Sequence, residues 1–350
     1  MHMLLSIDWI LFLEKLILIA IIIFASLGIA LYTTFAERKV AAALQDRPGP
    51  NRAGPFGLFQ PFADGLKLIM KEEIIPNTSN KILFILGPFL AMTAALMTSA
   101  VIPWSSDVHL FGRIIPLQIA DVNIGILYIF AVVSLGVYGI MIGGWASNNK
   151  FSLMAALRGA SQAISYELAM GLSLIALLMT TGTLQLGEIV KQQMAPGHWW
   201  NIVYQPLGFL IFLICAFAEC NRTPFDLAEA ENELNFGYHQ EYSSMKLGFY
   251  LFSEYVNMFI SSVVMATLYF GGYDVPFLNE SLLSPNVAAV IGVIALLIKV
   301  VIFIFFFMWV RWTIPRFRYD QLMNLGWKSL VPLALFNMII TGLFILWFGK

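Results

Sequence analysis

Charged residues are scarce in this chain of 350 residues, where Asp, Glu, Lys and Arg make up only 12% and apolar residues 59%. Soluble domains carry about a quarter charged residues. This scarcity excludes an ordinary soluble domain, because long stretches of the chain have no charged side chain to interact with water. We therefore predict that the bilayer is the solvent and that the fold is an all-α polytopic membrane protein.

Cysteine is also nearly missing, since Cys215 and Cys220 are the only two. An iron–sulfur cluster of the common type needs four thiolates, so this chain alone supplies none, and we interpret both thiols as small buried apolar residues. There is no basic patch of the kind that binds nucleic acid, no internal repeat and no cleavable signal peptide. The first apolar run, at about 7–36, is long enough to be a retained membrane helix.

In place of charged residues and cysteines, the chain contains long apolar runs. A helix needs roughly 20 mostly apolar residues to cross a bilayer. We predict about eight transmembrane helices, in a single integral membrane domain that spans residues 1–350, with the fifth run the shortest. The runs lie at about 7–36, 82–102, 121–143, 160–181, 207–220, 247–270, 287–309 and 328–349.

The basic residues indicate an orientation. An even number of spans places both termini on one side, and 15 of the 20 Lys and Arg residues fall in four alternate loops. The positive-inside rule then predicts that these loops face the cytoplasm of a bacterial cell and that both termini are periplasmic. The same rule would place the loops in the matrix of a mitochondrion. The predicted inside loops are 37–81, 144–159, 221–246 and 310–328.

The first inside loop combines turn residues with an amphipathic stretch. Proline and glycine between 48 and 61 exclude a continuous helix there. Beyond it, Phe62 and Leu66 share one helical face, and Asp64 and Lys67 share another. We predict a short amphipathic interfacial helix, which either anchors the loop on the membrane surface or frames a portal for an amphipathic ligand.

The third inside loop lies in the densest group of acids, with seven carboxylates and two basic residues between 218 and 255. We predict a helix capped by Thr223 that presents Asp226, Glu229 and Glu233 on one face, with Glu231 pointing away. Like charges at low dielectric titrate as a coupled group, which a proton relay or a charge-sensing gate requires. The alternative is a solvated acidic loop that docks onto a basic partner.

Other ionisable groups fall next to or inside the predicted spans. Glu219 flanks the fifth run, Glu254 enters the sixth, and Glu167 enters the fourth, where it is either functional or hydrogen-bonded to a neighbouring helix. Lys299 in the seventh run needs a carboxylate, a water-filled cavity or deprotonation. The predicted relay comprises Glu167, Glu219, Asp226, Glu229, Glu231, Glu233, Glu254 and Lys299.

Three long motifs of this chain resemble one family. The stretches "ERKVAAALQDRPGPNRAGPFGLFQPFADGLKLIMKE" and "AECNRTPFDLAEAENELNFGYHQEYSSMKLGFYLFSEY" look like the signatures of the H subunits of NADH–quinone oxidoreductase. This family, also called NADH dehydrogenase subunit 1, is part of respiratory complex I. "GVYGIMIGGWASNNKFSLMAALRGASQAISYE" resembles a third block of it, and the resemblance covers essentially the whole chain. The family often has Thr where this chain has Cys220, which removes no ionisable group.

The resemblance implies a subunit of a proton-translocating NADH:quinone oxidoreductase, with no catalytic residue and no redox cofactor on this chain. The quinone, ubiquinone or menaquinone, would be the substrate, and NADH, FMN and the iron–sulfur clusters would belong to partner subunits. Those partners would be the peripheral quinone-site subunits and the membrane antiporter-like subunits, in the bacterial inner membrane. The acids would couple quinone reduction to proton translocation. The implied quinone chamber and entrance comprise Arg38, Asp64, Lys67, Phe62, Leu66, Arg222 and Phe225.

Three other functions compete with this one. A similar membrane subunit serves membrane-bound hydrogenases and formate hydrogenlyases, but the full "QDRPGPNRAGPFGLFQPFADGLKL" stretch favours the quinone member. A free-standing ion transporter predicts paired broken spans or an inverted repeat, and neither is visible in the sequence. A scaffold that anchors soluble redox partners predicts that the buried acids serve assembly alone.

Overall fold

The computed structural model describes residues 9–110, 112–276 and 283–348, without the side chains at 110, 231, 232 and 348. It confirms the all-α class, and its one short hairpin pairs β1, Val108–Leu110, antiparallel with β2, Arg113–Ile115. The helices are α1 Trp9–Leu44, α2 Gln60–Met70, α3 Lys81–Thr98, α4 Gly125–Ala146, α5 Lys150–Thr181, α6 Leu186–Met194, α7 Asn201–Tyr204, α8 Pro206–Glu219, α9 Glu231–Leu234, α10 Ser244–Tyr269, α11 Pro285–Thr313, α12 Tyr319–Asn324 and α13 Val331–Phe348.

Seven helical segments of the described chain are long and apolar enough to cross a membrane. They contain α1, α3, α4, α5, α10 and α11, and a continuous last segment at Tyr319–Trp347. The fifth predicted run forms α8, whose 14 residues extend about 21 Å, short of the roughly 30 Å hydrocarbon core. The helical path breaks at Gln205, between α7 and α8. The Gln205 side chain is buried there and is hydrogen-bonded, since its Nε2 donates to Thr341 Oγ1 of α13 at 2.8 Å.

The connections gather on two faces of the bundle. We define the charged face as segments 45–80, 147–149, 220–243 and 314–318, which are tied together by bonds such as Asn149 Nδ2 to Glu241 Oε1 at 2.8 Å. The opposite face comprises segments 102–110, 112–124, 182–205 and 270–276. There Lys15 Nζ donates to the Gln118 carbonyl at 2.7 Å, and Ser105 Oγ donates to the Ala289 carbonyl at 2.6 Å.

Helix α10 is the most buried of the long helices and packs against α1, α3 and α11. Small residues bring α3 and α4 together beside it, since a Cβ at Gly139 would lie 2.8 Å from the Ala91 amide nitrogen. The Tyr250 hydroxyl of α10 donates to the Gly139 carbonyl at 3.0 Å. The three helices therefore form one close-packed unit.

Two predicted helix boundaries were wrong. Helix α1 continues to Leu44 instead of ending near 36, and its extension includes the buried residues Glu37 and Ala41. Helix α5 begins at Lys150 instead of near 160, where Asn149 Oδ1 accepts from the Phe151 amide at 3.0 Å and caps it. Both helices continue past the end of their apolar run, because tertiary contacts and a cap hold the polar extension. The connections next to these two helix ends are correspondingly shorter than the apolar runs alone indicated.

The predicted helix that starts at Thr223 was also wrong. Residues 220–230 are turns and irregular backbone, and only α9, Glu231–Leu234, is helical in that stretch. Phe225, Leu227 and Ala228 are all buried, so most of the segment packs into the protein and does not form a helix on its surface. Tertiary burial thus overrides the local capping signal.

The backbone of this buried segment is held by a side chain of α5. Gln162 Nε2 donates to the Ala218 and Phe225 carbonyls, both at 2.8 Å. These bonds replace those that a helix would have supplied. The single acidic helix face predicted for Asp226, Glu229 and Glu233 is therefore not formed.

Candidate functional site

A pocket of about 170 Å³ lies on the charged face, where loop 220–243 folds over the ends of α1, α10 and α11. We call it the charged pocket. Two arginines and two glutamates contribute to its walls, so ionisable groups dominate it. Its lining residues include Arg222, Glu229, His239, Glu254, Tyr255 and Arg311.

Arg222 is the central cation of the charged pocket. Its Nη1 lies 3.4 Å from Glu37 Oε2, its Nη2 lies 3.8 Å from Glu254 Oε2, and the guanidinium covers the Tyr255 ring at 4.0 Å. Burial lowers the pKa of Arg222, but Tyr255 and the surrounding carboxylates raise it more, so the net shift is upward. Arg222 therefore remains the fixed positive charge of the pocket.

Glu37 binds a second arginine, and the sequence did not indicate it. Arg311 Nη1 lies 2.5 Å from Glu37 Oε1, so one buried carboxylate of α1 pairs with guanidiniums from two other elements. Glu37 and Arg311 each lie just beyond a predicted span, where charged residues are ordinary. No local pattern in the sequence singles out Glu37, because its burial beside Ala41 on one face of α1 is a property of the fold.

Asp226 is a buried acid outside the spans and lies beside a further arginine that the sequence did not indicate. Arg316 Nη2 lies 3.0 Å from Asp226 Oδ2, an ion-pair contact without hydrogen-bond geometry. Burial raises the pKa of Asp226 to about 7, and the neighbouring Glu229 carboxylate adds to the rise. Nearby guanidiniums, with Arg316 the foremost, oppose the shift. The charge of Asp226 therefore changes near neutral pH.

Two further acids lie deeper in the bundle. Glu219, at the end of α8, lines a cavity of about 50 Å³ together with Thr98 and Ser261. Its Oε2 atom is buried and has no hydrogen-bond partner among the described residues. Glu167 Oε1 accepts from Ser134 Oγ at 3.0 Å, and its carboxylate is close enough to interact with that of Glu219.

The remaining predicted acids are dispersed. Glu254 accepts from the Tyr238 hydroxyl at 3.4 Å and lines the charged pocket with Glu229. Glu233 pairs with Arg158 at 2.5 Å near the surface of the charged face. The side chain of Glu231 lies outside the described residues. The structure therefore brings Glu229 and Glu254 together with Arg222, while Glu233 lies apart.

A larger cavity of about 630 Å³, which we call the outer cavity, has one of the predicted entrance residues among its lining residues. Arg38 lines it, and its Nη1 lies 2.7 Å from Asp64 Oδ2. Helix α2 forms as predicted, with Phe62 and Leu66 exposed on its apolar face and Lys67 exposed. Asp64 thus pairs with α1, a contact that spacing within α2 did not indicate.

Arg222, which lies in the charged pocket, and Phe225 are predicted quinone-site residues that the structure places away from the outer cavity. Phe225 lies in the core. It is buried in the bundle, with its ring centroid 5.3 Å from that of Tyr166 and 5.5 Å from that of Phe317. These contacts make it part of the core beneath the charged pocket.

The two cavities are neighbours because consecutive residues line them. On α1, Glu37 binds the arginines of the charged pocket, whereas Arg38 lines the outer cavity. On α11, Arg311 lines the charged pocket, and Trp312 lines the outer cavity. The walls of α1 and α11 therefore separate a large open cavity from a buried cluster of ion pairs.

Lys299 does not join these acids. Its Nζ donates to the carbonyls of Phe270, Gly272 and Asp274, on the opposite face. Glu254 lies 16 residues before Phe270, which is about 24 Å along α10. None of the three contacts of Lys299 supports its predicted role in a proton relay.

The fold and the site together define a polytopic helical membrane protein with a buried cluster of carboxylates and arginines at one face. A family model described as NADH dehydrogenase matches residues 16–342, so the chain belongs to the NADH dehydrogenase family. This finding confirms the family that the sequence motifs indicated.

Curated relatives match along nearly the whole chain, and each is named as an H subunit of NADH-quinone oxidoreductase. That of Cytophaga hutchinsonii is 66% identical over 336 residues, which cover 96% of this chain and 98% of the relative. That of Flavobacterium psychrophilum is 64% identical, with the same coverage of both chains. A more distant relative of the same kind, from Geobacter metallireducens, is 49% identical over 93% of this chain.

Proposed function

We propose that this chain is the membrane subunit of a proton-translocating NADH–quinone oxidoreductase. In this proposal it forms much of the quinone chamber and carries an acidic relay that couples quinone reduction to proton translocation. The observation that carries the proposal is the adjacency of the two cavities, which places an open chamber next to buried ionisable groups. The names of the curated relatives agree with this function.

The outer cavity fits the quinone role by its size and by the apolar helix face beside it. Its volume of about 630 Å³ lies in the range of small-molecule sites. The exposed apolar face of α2 beside it suits a ligand with a hydrocarbon tail, which enters from the bilayer. Arg38 supplies a hydrogen-bond donor for a polar head group, and Asp64 fixes its position.

The acids fit the relay role because they are buried and because they lie at successive depths in the bundle. Asp226 and Glu254 lie at the charged pocket, and Glu219 and Glu167 lie deeper. Buried carboxylates that interact titrate as a group, so a change of charge at one of them shifts the proton occupancy of the next. Arg222 lies beside Glu254 and Arg316 lies beside Asp226, so each of the first acids has a positive charge next to it.

The remaining parts of the proposal concern partners and location. NADH, FMN and the iron–sulfur clusters belong to partner subunits, because electron transfer to quinone needs a donor that this chain does not contribute. The charged face receives the peripheral quinone-site subunits, and antiporter-like membrane subunits adjoin the bundle. We place the chain in the bacterial inner membrane as one multi-pass domain, with the charged face in the cytoplasm and both termini in the periplasm.

The test uses Glu219→Gln and Asp226→Asn in the assembled complex. Each variant is expected to lower NADH:quinone reductase activity and the accompanying proton uptake by at least about tenfold, since a positioned proton-transfer group contributes about 10²–10⁴-fold. Activity and pumping are measured on the same proteoliposomes, and assembly is checked by co-purification of the partner subunits.

Glu241→Gln is the matched control, because Glu241 lies on the same loop but bonds to Asn149 outside the charged pocket. It is expected to retain wild-type activity. Wild-type turnover and pumping in both Glu219→Gln and Asp226→Asn would remove the relay role. Loss of assembly alone, with normal specific activity of the assembled fraction, would favour a scaffold.

A further inference from the structure

The ammonium of Lys299 is enclosed by backbone oxygens on the opposite face. Its Nζ lies 2.7 Å from the Phe270 carbonyl, 2.8 Å from that of Gly272 and 2.6 Å from that of Asp274. The Trp200 ring covers it at 4.6 Å. We call the three oxygens the carbonyl cage. An ammonium has three donors, so every N–H of Lys299 is used.

The backbone has an unusual shape at this point, which directs the oxygens inward. Gly271 and Gly272 both have positive φ, at 72° and 57°. A Cβ at Gly271 would lie 2.7 Å from Trp200 Nε1, and one at Gly272 would lie 2.9 Å from Val190 Cγ2. Conformation and space therefore both require glycine here.

The other polar groups around the cage are already paired. Trp200 Nε1 donates to Asp274 Oδ2 at 2.8 Å, so that carboxylate is held beside the cage. Gln193 Nε2 donates to the Thr267 carbonyl at 3.1 Å, and Asn201 Nδ2 donates to that of Leu268 at 2.8 Å. The end of α10 is thus bound by side chains from α6, α7 and α11.

Converging carbonyls at a helix C-terminus attract cations, because each oxygen is a ligand and the helix end carries partial negative charge. Sites of this kind coordinate Na⁺ or protons in transporters. The Asp274 carboxylate and the Trp200 face would add to the attraction. Without the lysine, this part of the opposite face would be a site for a mobile cation.

We propose that the ammonium of Lys299 is a tethered cation that fills the carbonyl cage and closes the opposite end of the bundle to mobile cations and protons. With its three oxygens occupied by the ammonium, the cage offers a mobile cation no free ligand. This assignment replaces the proton-relay role that the sequence suggested for Lys299. It rests on the proposed placement of the bundle in the membrane and is independent of the quinone reaction.

The neighbouring cavities show what the closure protects. An apolar cavity of about 30 Å³ is lined by Leu268 and Val264 of α10, just inside the end that the cage closes. Val264 also lines the cavity that contains Glu219. A cation that passed the cage would therefore be separated from a relay acid by one small apolar space.

The test is the passive proton conductance of proteoliposomes that contain the assembled complex, with a potassium diffusion potential and with neither NADH nor quinone. Lys299→Ala is expected to raise the conductance about tenfold, a factor that corresponds to the loss of one hydrogen bond to a charged group. Lys299→Arg, which keeps the charge and the donors, is expected to match wild type. Lys15→Ala is the matched control, because Lys15 also donates to a carbonyl on this face but to a single one.

Wild-type conductance in Lys299→Ala would overturn the proposal. Where that variant does not assemble, Lys299→Gln is the second neutral variant. Failure of both to assemble would also overturn the proposal, because the cage would then be a folding element. NADH:quinone reductase activity is measured on the same samples. Failure of the proposed function would appear as missing activity in the wild-type complex, whereas failure of the closure would appear in the conductance of the Lys299 variants.

Chemical rescue distinguishes a filled cage from a general loss of packing. Propylammonium replaces the atoms that Lys299→Ala removes beyond Cβ, and tetramethylammonium carries the same charge without N–H donors. In detergent, propylammonium is expected to raise the thermal midpoint of the Lys299→Ala complex and to leave wild type unchanged. An equal effect of the two cations, or no effect of either, would contradict the cage as the binding element.

Discussion

Glu37 shows at the scale of a single residue how the charged pocket is held. It is buried, and it meets Arg222 and Arg311 from two different parts of the chain. A buried ion pair adds little net stability, but removing one partner leaves an uncompensated charge, which costs about 3–5 kcal/mol. Glu37 faces two such partners, so the pocket depends on it more than on any exposed acid.

We expect Glu37→Gln to lower the thermal midpoint of the assembled complex and its quinone reductase activity, because the buried Arg222 and the partly buried Arg311 lose their shared carboxylate. Adding Arg311→Gln is expected to recover part of the midpoint, since one of those charges is removed as well. A double-mutant cycle by thermal melting measures this coupling. Additive effects of the two changes would show that the pair is not coupled.

Glu14→Gln provides the comparison for that cycle. Glu14 lies on the same helix and pairs with Arg113 at 3.0 Å, but half of the arginine side chain is exposed. Exposed pairs contribute about 0–1 kcal/mol. Glu14→Gln is therefore expected to leave both the midpoint and the activity near the wild-type values.

At the scale of elements, the contact between α3 and α4 sets the position of α10. Gly139 of α4 faces the backbone of α3, with a Cβ position 2.8 Å from the Ala91 nitrogen and 2.9 Å from the Gly87 carbonyl oxygen. Backbone atoms cannot move aside as a flexible side chain does. Gly139 also accepts the Tyr250 hydroxyl bond, so the glycine links all three helices.

Gly139→Ala is expected to separate α3 from α4 and to destabilise the complex by about 1–3 kcal/mol, the usual cost of overpacking. The measurement is the thermal midpoint of the purified complex. Gly136→Ala, one turn earlier on the same helix, is the control, because its nearest neighbour is Ala94 Cβ at an ordinary 3.8 Å. Equal midpoints for the two variants would contradict close packing at Gly139.

The elements were predictable from the sequence where burial follows from hydrophobicity alone. The apolar runs located every long helix, and the amphipathic pattern located α2. The limits of α1 and α5 were not predictable in this way, because polar side chains extend both helices through contacts made elsewhere in the fold. The helix predicted after Thr223 is absent for the opposite reason. Its N-terminal sequence favours capping, but the burial of Phe225 and Leu227 places the segment in the core.

The site was predictable in its composition but not in its pairing. The sequence indicated Arg222, Asp226 and Glu254 as functional residues, and the structure places all three at or beside the charged pocket. It did not indicate Glu37, whose significance depends on Arg311, more than 270 positions further along the chain. Long-range pairs of this kind leave no local pattern in a single sequence.

At the scale of the whole molecule, the two faces differ in what they carry. The charged face has the pocket, the outer cavity and α2, whereas the opposite face has the hairpin and the carbonyl cage. Such a division gives the membrane-embedded bundle a fixed chemical polarity. It suits a protein whose reaction takes place at one face of the bundle only.

This polarity makes the proposed orientation measurable. Lys81→Cys lies on the charged face at the start of α3, and Lys191→Cys lies on the opposite face in α6; both lysines are exposed. A membrane-impermeant maleimide is expected to label Lys81→Cys in inverted vesicles only and Lys191→Cys in right-side-out vesicles only. The native Cys215 and Cys220 are buried and provide the unlabelled background. The reverse pattern would invert the proposed topology.

The single helix α1 has a thermodynamic consequence. Its consecutive residues Glu37 and Arg38 belong to different cavities, and their Cα atoms are about 3.8 Å apart on one rigid rod. A ligand that shifts the α1 backbone at Arg38 therefore also shifts Glu37 and changes its distances to both arginines of the pocket. Linkage is reciprocal, so the protonation of the pocket must alter the affinity of the outer cavity by the same factor. Ligand binding in the outer cavity and protonation of the charged pocket are then thermodynamically coupled.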